Sequence, residues 1–244
     1  MPTRFAGRCA AFSLTYDDAL PEHREATSAQ LAAAGLTATF YLPAGWTAVL
    51  DHADAWRTVA AAGHELGNHT AFHPCRRDMP GRDWVPTAYD LATYDRRRFD
   101  DEIRTANALL AAIDGRRARS YGNTCHEDTV GSGERAFRVR DAILAHCIAA
   151  RGPCTGAAVD AASADRGALG CISGDGRRAS DLLAIADTAI AEGAWAILCI
   201  HGVGPAHHHL CIDDAEHTAL IAGLRERRDD LWTASVAEVA ATLG

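Results

Sequence analysis

Short apolar runs alternating with helix-patterned stretches predict an α/β protein with parallel strands, and a single (β/α) barrel suits the length of 244 residues. A second observation agrees. Polar clusters at 17–18, 69–73 and 201 each begin where an apolar run stops. In a parallel barrel the C-terminal ends of all strands open on one face, and active sites sit there. No internal repeat, low-complexity tract or linker breaks the pattern, so residues 1–244 read as one domain.

The elements follow in order. Residues 10–15 form a strand that ends at the acidic pair Asp17 and Asp18. A helix is expected over 22–34 with Gly35 as its C-cap, then a strand over 38–42. Asp54 is placed to cap a helix whose apolar face is Trp56, Val59 and Ala60 and which stops at Gly63. A brief strand at 65–67 delivers the histidine segment. Residues 74–90, with three prolines and a glycine, read as a long loop. The clearest helix spans 95–113, where Phe99, Ile103, Ala106, Leu109, Leu110 and Ile113 recur at three and four residues. Residues 119–122 look like a strand end, and 136–150 like a further helix. A strand at 156–159, a helix at 180–191 capped by Ser180 and the strongest strand at 194–200 come next. Two helices, 214–227 and 235–243, close the chain.

Composition narrows the function. Hydrophobic residues make up 48% of the chain, ample for a core, and the net charge of -8 argues against nucleic acid or an anionic membrane surface as the main partner. No run of 18 apolar residues exists, so no membrane-spanning helix is expected. Residues 1–5 carry no apolar leader, and a cytoplasmic protein is expected. The eight cysteines are scattered without a C-x-x-C pair and are expected to be reduced, acting as small hydrophobes. Lysine is absent, which excludes Schiff-base and P-loop lysine chemistry.

His69 and His73, four apart, can bind one metal ion from a single turn. A bare H-x-x-x-H occurs by chance among twelve histidines, but an Asp-Asp pair at one strand mouth and His201 at another strengthen it. Asp17 or Asp18 could instead cap a helix started by Pro21. Capping accounts for one carboxylate; two adjacent ones repel unless a cation lies between them.

Thr15-Tyr16-Asp17-Asp18, His69-Thr70-Ala71-Phe72-His73 and Leu198-Cys199-Ile200-His201 resemble, in order and separation, motifs of the polysaccharide deacetylase family, carbohydrate esterase family 4. The family's forms are T-F-D-D, H-[S/T]-x-x-H and a late strand ending in histidine, and the resemblance covers residues 10–205. It implies a distorted (β/α) barrel of parallel strands surrounded by helices. It further implies that Asp18, His69 and His73 hold one divalent metal, zinc first, with cobalt, nickel or manganese as alternatives. Asp17 is then the general base and His201 the general acid. The implied reaction removes an N-acetyl group from an amino sugar, an oligosaccharide or a glycosylated metabolite. An O-acetyl esterase, a hydrolase of another non-peptide C–N bond and a non-catalytic carbohydrate-binding relative are the alternatives.

Two motifs depart from the family's pattern. Residues 117–122 stand where relatives carry R-x-P-Y, here without proline. On that alignment Arg119, or Arg117, would pair with Asp17 and keep it ionised, and a backbone N–H near Tyr121 or Gly122 would stabilise the oxyanion. An arginine-rich helix end is the other reading. The family's acidic-tryptophan motif has no counterpart, which leaves Asp160, then Asp165, to orient His201. Trp84, with Trp46 and Tyr89, offers either packing or a stacking face for a sugar. The run His207, His208 and His209 forms a solvated rim or a wall of the site's mouth, and Cys75 and Cys199 are read as packing beside it.

Overall fold

The computed structural model describes residues 5–243; Met1–Arg4, part of the stretch read as lacking a leader, and Gly244 lie outside them. Seven parallel strands close a barrel in chain order: β1 (Ala10–Asp17), β2 (Thr39–Leu42), β3 (Glu65–Asn68), β4 (Tyr121–Gly122), β5 (Ala150–Cys154), β6 (Leu169–Ser173) and β7 (Trp195–Ile200). Closure comes from β7 returning to β1, in register from Ala11 against Trp195 to Tyr16 against Ile200. A further strand, β8 (Leu231–Thr233), lies along the N-terminal half of β1, while β2 takes the same edge at Thr15 to Asp17.

Every residue of β1 is buried because both of its faces are covered, so the strand reads as a near-continuous apolar run. The period of two still sorts it. Phe12, Leu14 and Tyr16 join the core cluster shared with the helices, while Ser13, Thr15 and Asp17 turn the other way, into the barrel. The Tyr41 ring occupies the interior above them. A Cβ at Gly67 or Gly122 would come within 2.4 or 2.8 Å of that ring, so these two inward positions admit only glycine.

The surrounding helices are α1 (Ser28–Ala33), α2 (Ala53–Ala61), α3 (Arg96–Asp114), α4 (Ala179–Glu192), α5 (Asp214–Glu226) and α6 (Val236–Ala240). The periodicity predicted for α3 holds. Asp95 caps it by accepting from Arg98 N, Gly115 ends it at φ 74°, and Phe99, Ile103, Ala106, Leu110 and Ile113 are buried. Ser235 and Glu238 form a reciprocal capping box at α6.

Several elements differ from expectation. The helix expected at 22–34 opens with a π-turn, His23–Thr27, whose His23 side chain bonds the His201 carbonyl at 2.7 Å. Asp54 lies in the first turn of α2 and does not cap it, and Arg178, not Ser180, precedes α4. The helix expected at 136–150 shrinks to one turn, Arg140–Ile143. Before it Phe137–Arg138 pairs with Thr129–Val130, and after it Ala150 already belongs to β5. Residues 156–159 contribute only a bridge from Val159 to Trp195, and β6 and β8 were not anticipated.

Candidate active site

At the C-terminal mouth of β1 and β3, Asp18, His69 and His73 converge. Asp18 Oδ1 lies 3.2 Å from His73 Nε2 and 3.6 Å from His69 Nε2. Buried Asp18 Oδ1 has no hydrogen-bond partner among the described residues. Donors around one tetrahedral zinc at 2.0–2.2 Å stand roughly 3.3–3.6 Å apart, so the set fits a divalent cation. His69 Nδ1 bonds the Gly122 carbonyl at 2.7 Å, which fixes the tautomer that leaves Nε2 facing the trio.

Strained backbone builds this geometry. Asp18, Thr70 and His73 have φ of 74°, 65° and 54°, in the left-handed region that costs such residues about 1–3 kcal/mol each. Helix α3 offsets the strain. Its buried Glu102 accepts from Ala71 N and Phe72 N at 3.0 Å, and Tyr94 donates to the same carboxylate. Asn68, anchored to Ile103 O, accepts from Thr70 N at 2.7 Å. A disulfide, Cys75–Cys125, ties the histidine segment to the loop after β4. This corrects the expectation of eight reduced cysteines: the two residues are distant in sequence, but the loops that carry them meet at the barrel mouth.

On one side of the trio stands Asp17, gripped by Arg151 of β5 through two bonds of 2.9 and 2.6 Å. Burial would raise the Asp17 pKa; Arg151, with help from His69, overrides it and holds the carboxyl well below the usual carboxylate range. Burial lowers the His69 pKa to about 4, so the ring is neutral and able to bind metal at ordinary pH. His201 stands near Asp17, the two side chains and Cys199 having polar atoms within 4.8 Å of one another; its Nδ1 meets Asp175 Oδ2 at 2.7 Å while its backbone N–H donates to Asp175 Oδ1. Burial disfavours its charge, yet the Asp175 carboxylate wins and raises its pKa.

These groups open into one pocket of about 530 Å³, also lined by Trp46, Trp84, His126, His208 and His209. Trp84 is 60% exposed at the rim. His208 stacks on His201 with ring centres 5.1 Å apart, and His209 stacks on His208. His207 turns away to pair with Glu22, and Tyr89 stacks on Phe72 rather than lining the pocket.

A family model described as polysaccharide deacetylase matches residues 6–124, the stretch that supplies Asp17, Asp18, His69 and His73. That stretch, just under half of the chain, matches the polysaccharide deacetylase family. The peptidoglycan deacetylase PdaC of Bacillus subtilis superposes with a TM-score of 0.54 at 14% identity, over 96% of this chain and 91% of that one. A CE4 family pseudoenzyme from Bacillus anthracis gives 0.55 at 16%, over 95% and 65%. The Xyl-CE4 domain of a multidomain xylanase from the hindgut metagenome of Trinervitermes trinervoides gives 0.54 at 13%, over 94% and 89%. No curated protein matches the sequence. At these identities the solved structures show the shared barrel, which carries both deacetylases and a pseudoenzyme. The family match supports deacetylase activity on carbohydrate and, in general, metal dependence.

Against the family's pattern, the structure corrects two partners. Arg119 does not reach Asp17. It is buried with Asp114 at 3.0 Å and donates to the carbonyls of Leu66 and Arg116. The guanidinium that holds Asp17 comes from Arg151, the register partner of Gly122 on the neighbouring strand. Likewise Asp175, not Asp160 or Asp165, holds His201; Asp160 accepts from Ala162 N and Ser163, and Asp165 pairs with Arg140. Tyr121 is buried against Phe99 and its N–H bonds Ala149 O, so that amide is not free for an oxyanion, while the Gly122 carbonyl serves His69. Asp175 had a visible signal: a carboxylate just after a short apolar run, the cue that picked out Asp17.

Proposed function

We propose that this chain is a metal-dependent hydrolase that removes an N-acetyl group from an amino sugar, an oligosaccharide or a glycosylated metabolite. The supporting observation is that Asp17, held by Arg151, and His201, held by Asp175, line one pocket together with the Asp18, His69 and His73 trio. A divalent cation held by that trio, zinc first, supplies Lewis acidity toward an acyl carbonyl and lowers the pKa of water.

The protein's own groups do the rest. Asp17, kept ionised by Arg151, takes the proton of the attacking water. His201, whose protonated form the Asp175 carboxylate favours, gives a proton to the departing nitrogen. An amide needs that acid more than an ester does, because an amide anion leaves poorly, and this favours N-deacetylation over ester cleavage. Trp84 and Trp46 at the rim offer stacking faces for a sugar ring.

Metal analysis of the purified wild type, Asp18→Ala and His73→Ala tests the ligand set. Metal is expected in the first and depleted in both variants; unchanged content in both variants refutes it. Turnover of N-acetylglucosamine oligomers against acetylated xylan tests the bond. Asp17→Asn should retain metal and lose activity.

A further inference from the structure

On β5, β6, β7 and the loop after β4, beside the pocket, sit three cysteines and a histidine that the proposed reaction does not use. Cys154 ends β5, Cys171 lies on β6 and Cys199 on β7, three neighbouring strands in which Cys154 and Cys171 are register partners. All three are free thiols. Their sulfurs lie close to one another and to the site: Cys199 Sγ is 3.6 Å from Asp17 Oδ2, and Cys154 Sγ is 3.1 Å from Cys171 Sγ. His126 enters from the loop after β4, where φ of 51° at Cys125 and 58° at His126 turns the chain inward. Its Nε2 stands 3.6 Å from Cys154 Sγ and 3.9 Å from Cys199 Sγ.

We propose that His126, Cys154 and Cys199 form a second metal site, distinct from the Asp18 trio and selective for a thiophilic cation of the zinc and cadmium type. The three donor atoms all lie within 4.8 Å of one another. Around a tetrahedral zinc, with Zn–S near 2.3 Å and Zn–N near 2.0 Å, nitrogen and sulfur donors stand roughly 3.5 Å apart; the 3.6 Å from His126 to Cys154 fits, and the 3.9 Å to Cys199 closes with a small side-chain shift. Two sulfurs and one imidazole are a softer set than one carboxylate and two imidazoles, so thiophilic ions prefer this site. The site is reachable, since His126 lines the active-site pocket and Cys154 is exposed. Cys171 Sγ, 3.1 Å from Cys154 Sγ, and Asp17 Oδ2, 3.6 Å from Cys199 Sγ, are neighbouring donors. Each thiol that binds releases its proton to solvent as the sulfur–metal bond forms, so affinity rises with pH.

Cadmium titration, followed by the ultraviolet thiolate-to-cadmium charge-transfer absorption, reads this site and not the Asp18 trio, which contains no sulfur. The band is expected in the wild type and undiminished in Asp18→Ala. It is expected to be lost in Cys154→Ser, an exposed position where the fold tolerates serine, and in Cys199→Ala. No band in the wild type, or a band unchanged in both cysteine variants, overturns the site. A Cys154–Cys171 disulfide found by peptide mass spectrometry of the purified protein also overturns it. Loss of metal in Asp18→Ala with no cadmium band anywhere would remove this site and leave the hydrolytic one standing.

Discussion

Burial alone would keep the His201 imidazole neutral, and the Asp175 carboxylate at 2.7 Å reverses that by raising its pKa. An acid works only while it holds its proton, so activity should fall as pH rises through that raised value. Asp175→Asn removes the negative charge, lowers the pKa and should move the alkaline limb of kcat/KM down by about one pH unit or more. An unmoved limb would show that Asp175 does not set the protonation of His201. The residues legible in the sequence, Asp17, Asp18, His69, His73 and His201, share one property: each closely follows an apolar run at the barrel mouth. The arginine partner of Asp17 was not legible. Which arginine reaches Asp17 depends on strand register, and Arg151 sits across from side-chain-free Gly122, where its guanidinium lies over the Tyr41 ring. Alignment with the family's R-x-P-Y motif favoured Arg119, or Arg117, but position along one segment says nothing about which side chains meet inside a closed barrel.

At the scale of elements, Arg119 joins the end of α3 to β3 through Asp114 and the Leu66 carbonyl, both charges being 1% exposed. Breaking a buried pair costs about 3–5 kcal/mol. Arg119→Ala should therefore lower stability in urea unfolding by that order while metal content and the pH profile stay as in the wild type. The Cys75–Cys125 bond closes a span of 50 residues that includes α3, and begins two residues after His73. The chain-entropy model allows roughly 4 kcal/mol for such a loop. Cys75→Ala/Cys125→Ala should lower the melting temperature and weaken metal retention against a chelator, since the His73 turn loses its tether. The stretch around Ala142 and Ile143 shows why local pattern misled. Its composition favours helix, yet the chain must deliver Ala150 and Arg151 into the barrel, so tertiary demand cuts the helix to one turn.

For the whole molecule, an ion held as proposed between the adjacent carboxylates and the two imidazoles would stabilise the fold, since Asp18 Oδ1 has no hydrogen-bond partner among the described residues. A ligand present at a hundred times its Kd adds about 2.7 kcal/mol. A chelator should therefore lower the thermal midpoint of the wild type and leave that of Asp18→Ala unchanged; equal drops would place the stabilising ion elsewhere. Barrel closure has a consequence for biosynthesis. Because β7 is the strand that seals β1, with Thr15 bonding Leu198 across 183 positions, the acidic pair and both imidazoles leave the ribosome long before their wall exists. Until Ile200 emerges, the nascent chain presents an apolar edge with nothing beside it, a state that invites aggregation or chaperone capture. A translation product stopped before Trp195 should be insoluble rather than a weak metal binder.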